Sequence, residues 1–171
     1  MLNKTLVTFP TLTTERLTLR QLVENDVQAI FLLRSDPVIN KYLDREPSQT
    51  LEEALQFIRT IQTNNLLYWA IIEPISGKLV GGIGLFNVSN EGNTCEIGYE
   101  LLPDYQGQGF MNEAMKKVIA FAVDILGIKA INAFTHKANQ PSAKLLQMLN
   151  FEQMEIIDES NPDVIVFRLL N

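Results

Sequence analysis

Apolar residues change their spacing several times along the chain, and each change marks an element. Residues 14–22 alternate, with Leu17, Leu19 and, by position, Gln21 opposite Thr18 and Arg20. A period of two predicts a first strand with one wetted face. From Asn25 the spacing becomes helical through Val27, Ile30, Phe31 and Leu33, with Asp26 as the predicted cap and Pro37 as the interruption. A second short helix is predicted to reach Leu43. Thr50 and Glu53 have capping-box spacing, and Leu51, Ala54, Leu55, Ile58 and Ile61 form one stripe, which predicts a helix ending near Thr63.

Residues 66–73, 78–88 and 94–102 read as three strands joined by Pro74-Ile75-Ser76-Gly77 and Asn90-Glu91-Gly92-Asn93, links short enough for antiparallel hairpins. A helix over 107–126, a strand over 129–135, a helix over 141–149 and two terminal strands follow. Antiparallel strands leading into a strand–helix–strand crossover predict a mixed α/β (α+β) fold. Its central sheet has about seven strands, mostly antiparallel and twisted, with helices on both faces. With 171 residues and 46% apolar composition, the chain is expected to form a single domain over 1–171.

Charge narrows the partners. Twenty acidic against fourteen basic residues leave a net −6, the wrong sign for a protein that must neutralise a row of phosphates, so nucleic acid is not expected as a partner. An acidic surface attracts cations such as amines. The single cysteine, Cys95, has apolar neighbours and is predicted to be a buried thiol, which suits a reducing compartment. Lys4 is not followed by a signal-peptide apolar run, and no stretch approaches the roughly 20 residues that span a bilayer. These features predict a cytoplasmic protein without a membrane partner. His136 is the sole histidine and makes no triad or metal cluster by itself, so no metal is expected.

The segment Pro103-Asp104-Tyr105-Gln106-Gly107-Gln108-Gly109 precedes the long helix. Glycine lets a ligand approach the backbone, and first-turn amides lack intrahelical acceptors, so the segment is a candidate anion cradle. The plainer alternative is a glycine turn that only starts a helix. Neither a Walker loop nor a dinucleotide fingerprint is present, since no Gly-Lys-Ser/Thr follows and Asn112 stands where the fingerprint needs glycine or alanine. The helix beyond keeps Phe110, Ala114, Val118, Phe121 and Ile125 on one face, with Glu113, Lys116, Lys117 and Asp124 opposite. Gly81, Gly82 and Gly84 lie within a strand, where they permit close packing, and Tyr68, Trp69 and Phe86 are expected in the core or a cleft wall.

The loop resembles the pyrophosphate motif of the GNAT superfamily of acetyltransferases, Gln/Arg-x-x-Gly-x-Gly/Ala, through Gln106 and Gly109, with Met111 in place of the final small residue. Asn139-Gln140-Pro141-Ser142 and the run to Leu149-Asn150-Phe151 resemble the branch that acetylates protein N-termini, including ribosomal-protein alanine acetyltransferases; Asn150 replaces a glycine there. Thr14-Glu15-Arg16-Leu17 and Cys95-Glu96-Ile97-Gly98-Tyr99 also resemble it, so nearly the whole chain is covered.

The resemblance implies an N-acetyltransferase that uses acetyl-CoA. The pyrophosphate would meet Gln106, Gly107, Gln108, Gly109, Phe110 and Met111; the pantetheine would lie in a cleft between splayed strands beside Leu101 and Leu102; Asn139 and Ser142 would complete the site. Leu102 interrupts the polar face of Glu96, Gly98 and Glu100, which predicts a bulge there with an unpaired N–H for the thioester oxygen. Ser142 is the candidate acid for the leaving sulfur, and the alternative is a purely local partner for the cap residue Asn139. Glu96 and Glu100 are about 13 Å apart along a strand, so either, but not both, could serve one amine as base. The alternative to an enzyme is a non-catalytic acyl-CoA sensor on the same scaffold. The acceptor amine stays open among a protein N-terminus, a polyamine, an aminoglycoside and an amino acid, as does the choice between monomer and homodimer.

Overall fold

The alternation of the strands and the stripes of the helices are satisfied together by one sheet buried on both faces. The computed structural model describes residues 8–89, 91, 93–157 and 161–171; Lys4, Asn90 and Gly92 lie outside them. The strands are β1 (Leu12–Thr13), β2 (Thr18–Gln21), β3 (Leu67–Glu73), β4 (Lys78–Ser89), β5 (Thr94–Leu101), β6 (Ala130–His136), β7 (Glu152–Ile157) and β8 (Val164–Leu170). Their order is β1-β2-β3-β4-β5-β6-β8-β7, antiparallel except for the β5–β6 pair. Among the described residues the sheet thus has eight strands where seven were expected. The extra one is β1: the stretch read as one strand over 14–22 begins with a turn, in which Thr14 N donates to Leu17 O at 2.9 Å.

The helices are α1 (Val27–Ser35), α2 (Pro37–Asn40), α3 (Leu51–Thr63), α4 (Phe110–Asp124) and α5 (Gln140–Met148). One core lies under α1 and α3, where Ile30, Leu33, Ala54, Ile58 and Ile61 pack on Tyr68, Ala70 and Leu79. The other lies under α4 and α5, where Ala114, Met115, Val118 and Leu146 pack on Trp69, Val80, Ile83, Ile131 and Phe167. Trp69 is fully buried, and its indole N–H donates to Pro10 O at 2.7 Å, which removes the cost of burying that polar group.

Several caps differ from the sequence expectation because a nearer partner competes. Asp26 does not cap α1 with its side chain. Its carboxylate accepts from Val23 N and pairs with Arg20 at 2.8 Å through both oxygens, closing the 3-10 turn Glu24–Asp26 ahead of the helix. The second helix stops at Asn40, not Leu43, and is capped by Asp36, which accepts from Val38 N and Ile39 N. Thr50 does accept from Glu53 N, at 3.3 Å, but the Glu53 carboxylate reaches back to Gln49 N instead of Thr50 N. Leu51 is exposed at the helix start and leaves the stripe. The long helix starts at Phe110, not at Gly107, because Gly107 and Gly109 hold left-handed backbone with φ of 72° and 81°. It ends before Ile125, which is exposed. Asn150 has φ 64° beyond α5, so it performs the left-handed closure that its glycine-like position implied.

Candidate active site

The β5–β6 pair is short. Parallel pairing runs only through Thr94↔Ala130, Cys95↔Ile131 and Glu96↔Asn132, after which β5 continues to Leu101 beside a gap. A cleft of about 520 Å³ opens there. Its walls are the end of β5, the loop before α4, the first turn of α4, one side of α5 from its cap to Met148, and the segment that starts with α2.

No bulge marks Leu102. Leu102 N donates to Val80 O at 2.9 Å, continuing the β4 pairing, and the register shift between β4 and β5 lies at the opposite end, between Phe86 and Ser89. Leu102 is apolar because this face of β5 is also buried: it packs on the α1/α3 core. The N–H expected at a bulge is therefore occupied. Backbone groups alternate along a strand, so the N–H and carbonyl of Leu101 face away from β4, towards the gap. The carbonyl accepts from the Gln106 side chain at 2.9 Å. Leu102 itself does not line the cleft, whereas Leu101 does.

The loop turns through the 3-10 segment Pro103–Tyr105 and then through the two left-handed glycines. Gln108 places its side chain on Asp104 O at 2.8 Å, and its carbonyl accepts from Arg16 Nη1 at 3.0 Å. Gln108 lies outside the lining, while Gln106, Gly107, Gly109, Phe110 and Met111 are part of it. The first turn of the 15-residue α4 presents amides that have no acceptor within the helix, and the Glu113 N–H is the first to close on Gly109 O. A Cβ at Gly107 would meet nothing within 4 Å, so the backbone there is open to a ligand. Met111 buries its side chain in the core, which is how a large residue fits at this position.

Arg16 and Glu113 brace the mount. The Glu113 carboxylate accepts from the Thr14 hydroxyl, Arg16 N and Arg16 Nε, the last two at 2.8 Å, and the Arg16 guanidinium lies 4.4 Å from the centre of the Phe110 ring. Burial alone would raise the Glu113 carboxyl; the hydrogen bonds from Thr14 and Arg16 outweigh it and hold the group below the usual carboxylate range. Glu113 is thus a tether between α4 and the β1–β2 turn, not a solvated charge.

On the far wall, Asn139 Oδ1 accepts from Ser142 N at 3.3 Å, so the local capping contact is present. The Ser142 hydroxyl is left for another partner and lies 2.8 Å from the Tyr99 hydroxyl across the cleft. Burial pushes the Tyr99 phenol up to about 12, against the smaller opposite effect of the Ser142 hydrogen bond. Sequence reasoning did not single out Tyr99, although it sits two residues before Leu101 on the same strand face.

Glu100 and Glu96 have different settings. Glu100 reaches the cleft wall but is buried, and its carboxylate accepts from Arg45 Nη2 at 2.5 Å and from the Tyr68 hydroxyl at 2.9 Å. Arg45 Nε donates to Asn40 Oδ1 at 2.7 Å, and Asn40 in turn donates to Leu33 O and Asp36 O, so the segment after α2 is tied to β5. Glu96 lies outside the cleft lining and contributes, after burial, to pushing the Cys95 thiol up to about 12. Arg45 had no sequence signal, because its segment has no periodicity.

The strand glycines acquire a reason here. A Cβ on Gly82 would overlap the Tyr68 hydroxyl, and one on Gly84 would come within 2.7 Å of the Phe86 ring. Gly82→Ala is expected to displace Tyr68 from Glu100 and to destabilise the fold by about 1–3 kcal/mol, read as a lower melting temperature. An unchanged melting temperature would show that Tyr68 moves without cost.

His136 ends β6 behind the cleft. Its Nδ1 accepts from Ala138 N at 3.1 Å and its ring centre lies 5.4 Å from that of Tyr42, a cleft residue. Among the described residues no three His, Cys, Asp or Glu side chains are grouped as a metal site, and no helix is long and apolar enough to cross a membrane.

A splayed parallel pair in an otherwise antiparallel sheet, with an amide cradle at the following helix, is the frame of an acetyltransferase. Residues 16–152 match the Acetyltransferase (GNAT) domain family, and the chain belongs to it. Over 153 residues it is 31% identical to the uncharacterised N-acetyltransferase YoaA of Bacillus subtilis (strain 168), covering 87% of this chain and 86% of that one. A GNAT-family acetyltransferase from Bacillus anthracis superposes with a TM-score of 0.84 at 21% identity, covering 94% and 98% of the two chains. Spermidine N-acetyltransferase from Vibrio cholerae, in complex with CoA and spermine, superposes at 0.81 and 21%, covering 92% and 96%. The protein is an N-acetyltransferase, and acetyl-CoA is the co-substrate of its family.

Proposed function

We propose that this enzyme acetylates an α-amine, such as a protein N-terminus, by direct transfer within the cytoplasm. The observation that carries the reading is the Tyr99–Ser142 hydroxyl pair, set beside Leu101 in the cleft that the glycine loop and the start of α4 also line. Gln106, Gly107, Gly109, Phe110 and Met111 hold the pyrophosphate, with Gln108 fixing the loop shape, and Leu101 offers backbone to the pantetheine. Asn139 positions Ser142. The amine nitrogen attacks the acetyl carbonyl, a C–N bond forms and the C–S bond breaks. The sulfur leaves with the electron pair and takes its proton from Ser142, the amine proton passes to water, and a proton from water restores the Ser142 hydroxyl.

Glu100 is better placed than Glu96 to orient the amine, because it alone of the two reaches the cleft. Both of its carboxylate oxygens are already engaged, one by Arg45 and the other by Tyr68. That suits an α-amine, which at a pKa near 7.8 is already about 10% neutral at pH 7, whereas a lysine amine is neutral only about 0.04% of the time. The resemblance of the Asn139–Ser142 segment to the branch that modifies protein N-termini supports the same acceptor.

The test is a peptide with one free α-amine and one lysine, acetylated with acetyl-CoA and mapped by mass spectrometry. Acetylation at the α-amine is expected, with no acetyl-enzyme when the peptide is omitted. Modification confined to the lysine would overturn the acceptor, and a covalent acetyl-enzyme would overturn direct transfer.

A further inference from the structure

We infer that the acceptor carries a single positive charge and an apolar side chain next to its amine, and that the Arg45–Glu100 pair and the α2 wall enforce this choice. The inference rests on the α-amine reading and adds the class of side chain.

The cleft wall away from the amide cradle is built by Val38, Ile39, Tyr42 and Leu43, from α2 and the turn after it. Val38 is 61% exposed at this wall, an apolar residue held in the open at a cleft mouth. Its four lining side chains are uncharged, with Lys41 outside the lining and its ammonium 5.0 Å from the Tyr42 ring centre, so this wall's place is beside the acceptor and not the phosphates. Among the residues lining the cleft, Glu100 is the one carboxylate, and Lys144 is the one side-chain cation. Glu100 is already neutralised by Arg45 at 2.5 Å and holds Tyr68 with its other oxygen. An acceptor with two or three ammonium groups would find no unpaired carboxylate here and would place its extra charge against apolar surface or Lys144, which is unfavourable. An apolar side chain gains from the same surface. Discrimination of this kind combines attraction to one acceptor with an unpaired charge against the other.

Arg45 is therefore a specificity-determining residue. It does not touch the reacting atoms; it removes the charge that would otherwise recruit a polycation. The tie from Arg45 to Asn40 also sets the position of the apolar wall.

The experiment measures CoA thiol release from acetyl-CoA with leucine amide, glycine amide and spermidine, using wild type and Val38→Glu. Wild type is expected to show kcat/KM at least about tenfold higher for leucine amide than for either other amine, since an apolar pocket discriminates by about this factor or more. Val38→Glu, at an exposed position, is expected to narrow the leucine amide to spermidine ratio at least about tenfold, mainly through KM. A wild-type preference for spermidine, or equal use of leucine amide and glycine amide, would overturn the inference and leave the acetyltransferase reading intact. An unchanged ratio in Val38→Glu would also overturn it. If Val38→Glu fails to fold by its melting curve, the wild-type comparison of the three amines decides alone. Thiol release with none of these amines, nor with any peptide, would instead remove the α-amine reading itself.

Discussion

Gly109→Val is expected to bind acetyl-CoA about 30- to 150-fold more weakly than wild type, the equivalent of about 2–3 kcal/mol. Gly109 sits at φ 81°, where a side chain clashes with the following carbonyl at a cost of about 1–2 kcal/mol, more for a β-branched residue. Its Cβ would also lie 3.4 Å from Arg16 Nη2, so the valine methyls push against the group that holds Gln108 O. Relief requires the loop to turn away, and the first-turn amides of α4 turn with it. Gly107→Ala provides the contrast. Nothing lies within 4 Å of its Cβ, so only the left-handed backbone is penalised, and about a fivefold loss is expected. Calorimetric titration with acetyl-CoA, alongside melting curves, separates binding from folding. Full affinity in a folded Gly109→Val would remove the loop from the cofactor site.

The second large effect is expected for Ser142→Ala, a fall in kcat of about 10²- to 10⁴-fold, the usual contribution of a positioned acid. The contact that fixes the start of α5 uses Ser142 N, which alanine keeps, so α5 should still form and the loss should lie in the chemical step. Tyr99→Phe removes the partner hydroxyl and should cost less. Because the two hydroxyls act as a unit, the double variant should be scarcely slower than Ser142→Ala. With Tyr99 pushed up to about 12, the phenol keeps its proton throughout the range in which enzymes are assayed. The sign is then definite: activity should rise as the amine deprotonates and should not fall again between pH 7 and 9 through loss of this acid. A Ser142→Ala enzyme with wild-type kcat, or a descending limb in that range that disappears in Tyr99→Phe, would sink the assignment.

The parts of this protein that were legible in its sequence are those whose cause is local. The stripe of α3, the antiparallel hairpin at Pro74–Gly77, the glycine loop before α4 and the left-handed Asn150 each follow from backbone preference or from periodicity within a few residues. Asn139 could be identified as a cap because its partner is three residues away. The errors have the opposite character. Glu113 leaves the solvent face for Arg16 and Thr14, 97 and 99 residues away, and Asp26 gives up the cap of α1 for the guanidinium of Arg20, because an ion pair outcompetes a single cap contact and periodicity encodes neither partner.

Leu102 shows the same limit from the apolar side. In the sequence it breaks an alternating pattern and suggests a bulge, but a strand buried on both faces has no polar face to break. Gly82 is readable only as a glycine in a strand until Tyr68 fills the space above it.

By itself, then, the sequence determined the order of the main elements, the mixed sheet and the glycine loop before α4, since hydrophobic period and glycine conformation act over short range. The tertiary structure alone decided which groups meet in the cleft. Tyr99 and Ser142 are 43 residues apart, and Arg45 and Glu100 are 55 apart. The termination of the β5–β6 pairing at Glu96 and Asn132 opens the cleft that Tyr99 and Ser142 flank; no local preference encodes it. The reason is separation along the chain: β5 and β6 are joined by a crossover through α4, so how far they pair depends on how that crossover packs on the sheet and not on the residues of either strand alone.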